Sequence, residues 1–455
     1  MTEDFAVIDR ARLEHLLERE REAYRDANPH SAELFNQAEH LFGRVPMTWM
    51  GKAAGGFPLY LASAHGAHVT DVDGHGYVDL CLGDTGAMAG HSPAPTVAAV
   101  NRRYAQLGGA TAMLPSADAE WVGAELERRF GLARWSFTLT ATDANRWAIR
   151  LARAISGRPK ILFNSYCYHG SVDESLIVRT PAGAASREGN VGAPVEVTLT
   201  SRVAEFNDLE QLERELAHGD VAAVLMEPAL TNIGIVLPEP GYLEGVRELT
   251  RAAGTLLIND ETHTFSAGAG GATSFWSLAP DMLTIGKAIG GGIPCGAYGL
   301  SDEVVERVQG MSGLDLVDVG GVGGTLAGNV LSVAAMRATL EEVLTESAFD
   351  SMCALAQRFT EQVSEVIETR RLPWSISRLG ARAEYRFANP APRNGGESAA
   401  AHDGPLEDYM HVYLANRGVL MTPFHNMALM CPATTQADVD RHREVFAAAV
   451  DELLG

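Results

Sequence analysis

Asn259-Asp260-Glu261-Thr262-His263, followed by Leu283-Thr284-Ile285-Gly286-Lys287-Ala288-Ile289-Gly290-Gly291-Gly292, is the stretch whose reading decides the fold. The first part ends an apolar run, Leu256-Leu257-Ile258, which has the pattern of a short buried strand. The second apolar run ends in Gly-Lys. Open α/β sheets place their sites where strands run out at their carboxyl ends. Asp260 and Lys287 then face one pocket from neighbouring strands. A lysine near apolar walls and Gly-rich backbone suits covalent capture of a carbonyl. Read alone, an Asp and a Lys near loops are more often solvated surface groups.

Outward from this stretch the pattern repeats. Helix-like segments at 117–130, 143–156, 208–217 and 241–253 alternate with strand-like runs at Trp135–Leu139, Lys160–Phe163, Ala222–Met226, Thr255–Ile258 and Met282–Ile285. Short apolar strands alternating with helices predict a mostly parallel sheet covered on both faces. Towards the N-terminus, residues 8–41 have the apolar spacing of one or two amphipathic helices. Residues 44–58 are irregular and rich in large apolar groups, and Asp73-Gly74 marks a hairpin. Residues 181–202 and 388–403 read as loops. Beyond 326 the chain reads as helical to about 370, and a last helix begins near Thr435 as its cap. The expected division is a large domain at 76–330 and a smaller α+β domain from 1–75 and 331–455.

Bulk properties narrow the function. A chain of 455 residues exceeds one ordinary core. A net charge of -22 argues against nucleic acid or anionic membrane as the main partner. The five cysteines are scattered without a C-x-x-C pair, the pattern of reduced thiols in a cytoplasmic protein and of neither a disulfide framework nor a metal site. Met1-Thr2-Glu3-Asp4 is acidic and opens no apolar segment, so no secretory signal is expected. No uninterrupted apolar run of about 18 residues occurs, which argues against a membrane span.

Further clusters sit mostly after predicted strands. Thr138 to Asn145 runs from a strand into a helix, where backbone N–H groups and hydroxyls make either an anion site or an ordinary cap. Tyr168-His169-Gly170 places an aromatic beside a tight turn, for stacking on a planar ligand or for structure. Glu227-Pro228 ends another strand, and Gly324-Thr325-Leu326-Ala327-Gly328-Asn329 precedes a helix.

Taken in order, with Gly90-His91-Ser92-Pro93 added, these motifs resemble the class III pyridoxal-phosphate aminotransferases of fold type I, in particular the glutamate-1-semialdehyde aminomutase-like branch, which includes β-amino acid and amine transaminases. The resemblance covers about residues 30–450. It implies a fold type I transferase with pyridoxal 5'-phosphate as cofactor. It assigns the Schiff-base and proton-transfer lysine to Lys287 and the partner of the pyridine nitrogen to Asp260. Tyr168 matches the stacking aromatic, His169 and Glu227 belong to the matched cofactor motifs, and Thr140, Ala141 and Thr142 match a Ser-Gly-Thr phosphate loop. Thr325 matches a threonine that reaches the phosphate of a partner subunit's cofactor, which implies a homodimer with the site at the interface.

The departures from the family pattern are Ala141 where the loop has Gly, and Thr262 and His263 where Val and then Gln or Met are usual. Thr262 offers a methyl for packing under the ring. His263 either hydrogen-bonds the cofactor's ring hydroxyl or supports the site from behind. The substrate arginines of amino-acid-specific relatives are matched here by Trp49 and Phe424, beside Met50 and His425, although Arg44, Arg378 or Arg382 could supply a charge. The expectation is an aminotransferase moving an amino group between a bulky, apolar or aromatic amine or amino acid and a carbonyl acceptor. The alternatives are an intramolecular aminomutase of the glutamate-1-semialdehyde type and a β-amino acid transaminase.

Overall fold

The computed structural model describes residues 5–192, 195–317 and 319–455, so the Met1–Asp4 reading lies outside it. The polypeptide divides into two compact units, one of residues 93–350 and 392–400, the other of residues 1–92, 351–391 and 401–455.

The first unit is built on a seven-stranded sheet. In chain order its strands are β1 (Arg134–Thr138), β2 (Lys160–Asn164), β3 (Ser201–Ala204), β4 (Val221–Met226), β5 (Leu256–Asp260), β6 (Met282–Gly286) and β7 (Gly296–Leu300). Their order across the sheet is β1-β7-β6-β5-β4-β2-β3. The pairs β6–β5, β5–β4, β4–β2 and β2–β3 are parallel, and β7 runs antiparallel to both β6 and β1. Every residue of β4, β5 and β6 is buried, as expected of strands covered on both faces. Helices Ala141–Ser156, Leu209–Leu216 and Tyr242–Ala252 supply the cover, and Ala148, Ile149, Leu212 and Val246 pack in one core with Ile161, Val224 and Ile258. Fold type I and the α/β class expected from the sequence are therefore present.

Two sequence expectations change. Part of the segment read as a loop at 181–202 forms a hairpin, Ile177–Thr180 with Gly183–Ser186, and its end begins β3. Residues Gly395–Ala400 form a short helix inside the expected loop at 388–403.

The second unit holds a four-stranded sheet that includes the hairpin His68–Asp71 with Gly76–Asp79, and a three-stranded antiparallel sheet that includes Ser375–Leu379 and Arg382–Arg386. Helices Arg10–Ala27, Gly404–Ala415 and Gln436–Leu454 belong to this unit. Thr435 caps the last of these in a reciprocal box with Asp438. Among the described residues no helix is long and apolar enough to cross a membrane.

Candidate active site

Three adjacent parallel strands end side by side. β4 ends at Met226, which pairs with Asn259, and Asp260 pairs with Thr284 near the end of β6. The chain therefore delivers Glu227, Asp260 and Lys287 to the carboxyl edge of one sheet, where open α/β sheets bind ligands. Asp260 and Glu227 are buried, and Lys287 is half-buried. Lys287 has φ +51°, a left-handed backbone at a residue that carries a side chain.

Asp260 is held from three directions. Its Oδ2 accepts from Asn145 Nδ2 at 2.8 Å and from His169 Nδ1 at 2.9 Å, and its Oδ1 accepts from the Thr262 N–H at 3.0 Å. Burial opposes the charge, but the bond and charge of His169, then Thr262 and Asn145, outweigh it and hold the carboxyl below the usual range. Burial likewise opposes a charged His169, yet Cys167 and Asp260 raise its pKa well above the usual imidazole value. Each member of the pair thus favours the charged form of the other. Oδ1 retains acceptor capacity for one more donor.

Asn145 ties this pair to β6. Besides Asp260, its amide donates to the His169 carbonyl at 3.1 Å and accepts from Thr284 Oγ1 at 2.6 Å. The sequence reading quoted Asn145 inside its motif but gave it no role. Its signal was a polar residue among Ala144, Trp147 and Ala148 on the buried helix face.

A second chain reaches the lysine. Lys287 Nζ lies 2.5 Å from His263 Nε2, and His263 Nδ1 lies 2.9 Å from Thr231 Oγ1. The Thr231 hydroxyl in turn donates to Glu227 Oε2. Thr231 follows a strand end without any motif, and sequence reasoning missed it. Glu261, adjacent in sequence to Asp260, points elsewhere: it accepts from Thr264 Oγ1 at 2.6 Å and from the N–H groups of Ala272 and Thr273, and burial raises its pKa.

The segment after β1 is both a cap and an open helix end. Thr140 is the N-cap, accepting from Asp143 N–H at 3.1 Å. Thr142 Oγ1 accepts from Ser171 N–H at 3.3 Å. The Ala141 and Thr142 N–H groups lie in the first turn, where no intrahelical acceptor exists, so an anion is favoured there. The methyl of Ala141 is accommodated by Gly286: a Cβ added at Gly286 would stand 3.0 Å from Ala141 Cβ and 2.9 Å from its nitrogen. The residue that precedes the lysine thus makes room for the alanine that departs from the family loop.

Thr262 is buried beside Asp260, and its side chain helps to hold that carboxyl in the charged form. Tyr168 is half-buried on the turn after β2, and Thr325 is exposed on a turn. A planar, phosphorylated pyridine fits this set: an ionised acceptor, an amine and an anion-binding helix end.

The residues matched to the substrate arginines lie in the second unit. Trp49 and Phe424 meet edge to face at 5.7 Å, and Met50 is exposed. Phe424 also contacts His425 at 5.0 Å, and His425 is buried with Nδ1 3.5 Å from Glu384. Lys52 Nζ stands 5.6 Å from the Phe424 ring centroid, and Lys52 and Met50 line a cavity of about 520 Å³ in this unit.

Comparison with known proteins places these residues in context. The family model for aminotransferase class-III matches residues 50–450. A lysine-to-alanine variant of a glutamate-1-semialdehyde-aminomutase of Pseudomonas aeruginosa PAO1, solved in complex with PMP, is 46% identical, with a TM-score of 0.95 over 98% of this chain and 99% of that one. A glutamate-1-semialdehyde 2,1-aminomutase of Anaeromyxobacter dehalogenans is 32% identical over 90% of this chain and 95% of its own length. An omega-transaminase of Sphaerobacter thermophilus is 29% identical, with a TM-score of 0.84 over 93% of this chain and 98% of that one.

Proposed function

The chain belongs to the class-III aminotransferase family, and from that premise we propose that it moves an amino group within one substrate, as an aminomutase of the glutamate-1-semialdehyde type. It is an enzyme dependent on pyridoxal 5'-phosphate. When bound, that cofactor supplies a ring that takes up the electron pair left when a substrate C–H bond breaks. Asp260, ionised and buried, presents Oδ1 to a ring N–H, and His169 and Asn145 fix its orientation. Thr262 lies beside Asp260 and Tyr168 takes the stacking position. Ala141, Thr142 and the Thr140 cap hold the phosphate at the helix end. Lys287 Nζ carries the proton between substrate carbons, and His263 and Glu227 act behind it.

The observation that supports the aminomutase reading is the likeness across 98% of the chain to a protein of that description. A second reading, transfer between a bulky amine or β-amino acid and a separate carbonyl acceptor, is favoured by the Trp49–Phe424 pair. The proposal includes a homodimer: Tyr104, Leu107, Met113, Leu114, Val317 and Val319 leave large apolar side chains exposed on the sheet-bearing unit. A cytoplasmic location belongs to it too, on the scattered free cysteines.

The test is glutamate 1-semialdehyde labelled with ¹⁵N, incubated beside unlabelled amine. An aminomutase returns 5-amino-4-oxopentanoate with its label kept. Conversion only of an aromatic amine or β-amino acid with a separate keto acid refutes the aminomutase and selects the second reading.

A further inference from the structure

The side chains behind Lys287 form a hydrogen-bonded chain. Thr231 has one hydroxyl hydrogen, and it goes to Glu227. Toward His263 the Thr231 oxygen is therefore the acceptor, so His263 carries its hydrogen on Nδ1. Its Nε2 then presents a lone pair to Lys287 Nζ, 2.5 Å away. A base beside a nucleophile, oriented by a third group, is the arrangement by which enzymes activate weak nucleophiles.

The scaffold keeps this order. Thr231 is fixed by two backbone bonds between Leu230 and Val236, at 3.1 and 3.0 Å. Glu227, Thr231 and His263 are all buried. Other charged groups nearby are engaged elsewhere: Asp260 is bonded to His169, and Glu261 faces Thr264, Ala272 and Thr273. The groups that face His263 along the chain are Lys287 from the end of β6 and, through Thr231, Glu227 from the end of β4.

We propose that His263 is the base that takes a proton from Lys287, and that Thr231 and Glu227 are positioning residues that hold its tautomer. In the step, a Lys287 Nζ–H bond breaks and a His263 Nε2–H bond forms. The His263 Nδ1–H stays on Thr231 Oγ1, and the Glu227 carboxylate balances the imidazolium through the Thr231 hydroxyl. One proton moves and no electrons are exchanged. The return step reprotonates the lysine. This inference rests on the reading of Lys287 as the amine that acts in the reaction.

The experiment uses the full chain freed of cofactor. Lys287 is modified with trinitrobenzenesulfonate across a pH series, and the rate at that residue is read by peptide mass spectrometry. The rate at which the same protein recaptures pyridoxal phosphate is followed in parallel. Wild type and Thr231→Ser, which keeps the hydroxyl, are expected to share one pH–rate profile for modification of Lys287. Thr231→Val, of similar shape without the hydroxyl, and His263→Gln are expected to shift that profile to higher pH and to slow modification at pH 7 by about tenfold or more. A wild-type profile in Thr231→Val overturns the proposal. So does a Thr231→Ser profile that matches Thr231→Val, since packing alone would then explain both. An unshifted profile with isotope transfer intact removes the base and leaves the aminomutase. A shifted profile in a chain that converts none of the tested substrates leaves the base and removes the aminomutase.

Discussion

Replacing Asn145 with alanine tests whether one amide organises the acid at the end of β5. The side chain makes three bonds: to Asp260 at 2.8 Å, to the His169 carbonyl at 3.1 Å and from Thr284 at 2.6 Å. A hydrogen bond to a charged group contributes about 2 kcal/mol, and leaving a buried hydroxyl and a buried carbonyl without this partner costs about 1 kcal/mol each. The sum is about 4 kcal/mol. In a domain of roughly 150–250 residues, 1 kcal/mol moves the melting point by about 2–4 °C. Asn145→Ala is therefore expected to lower the transition of the sheet-bearing unit by about 8–16 °C in calorimetry of the cofactor-free chain. Water filling the space recovers part of this, which sets the smallest expected fall at about 4 °C. Asn145→Asp has the same size but sets a second carboxylate against Asp260. Its transition should fall further at pH 7 and recover as the solution is acidified. A melting point for Asn145→Ala within about 1 °C of wild type refutes the reasoning.

Three other perturbations follow from the same geometry. Lys287→Ala is expected to abolish turnover and the borohydride-sensitive absorbance of the lysine-linked cofactor while keeping the fold by circular dichroism; retained turnover removes Lys287 from its role. His169→Phe takes away the groups that hold Asp260 ionised. The depressed Asp260 contributes stability above the unfolded carboxyl value and loses it as pH falls through the folded one, whereas the raised His169 contributes most below its unfolded value. The melting-point gap between wild type and His169→Phe should thus be widest between about pH 4 and about pH 6 and narrow as the pH falls toward about 2, and a gap constant with pH contradicts this. Gly286→Ala forces a methyl to within 3.0 Å of Ala141 Cβ, so cofactor affinity measured by equilibrium dialysis should fall about tenfold or more, with partial restoration in the Gly286→Ala, Ala141→Gly double variant.

The central strands were legible because burial on both faces leaves continuous apolar runs. The predicted Trp135–Leu139, Lys160–Phe163, Ala222–Met226, Thr255–Ile258 and Met282–Ile285 lie within a residue or so of β1, β2, β4, β5 and β6. β7 was not legible, because Gly296-Ala297-Tyr298-Gly299-Leu300 reads as a breaker. Its glycines answer to packing instead: a Cβ at Gly299 would lie 2.7 Å from the Trp135 ring. β3 was hidden behind a Gly- and Ser-rich stretch at the sheet edge. In the site, Asp260 and Lys287 were visible because each ends an apolar run. Thr231 was not, since its role comes from a spatial neighbour on another strand.

The left-handed backbone at Lys287 bears on how this scaffold responds to engineering. A side chain in that conformation costs roughly 1 kcal/mol that glycine avoids and asparagine reduces. Selection for heat resistance alone would therefore enrich glycine or asparagine at position 287 and discard the reaction in the same step. A thermostability library on this protein needs that codon held fixed, and its gains sought at positions whose main chain is already relaxed.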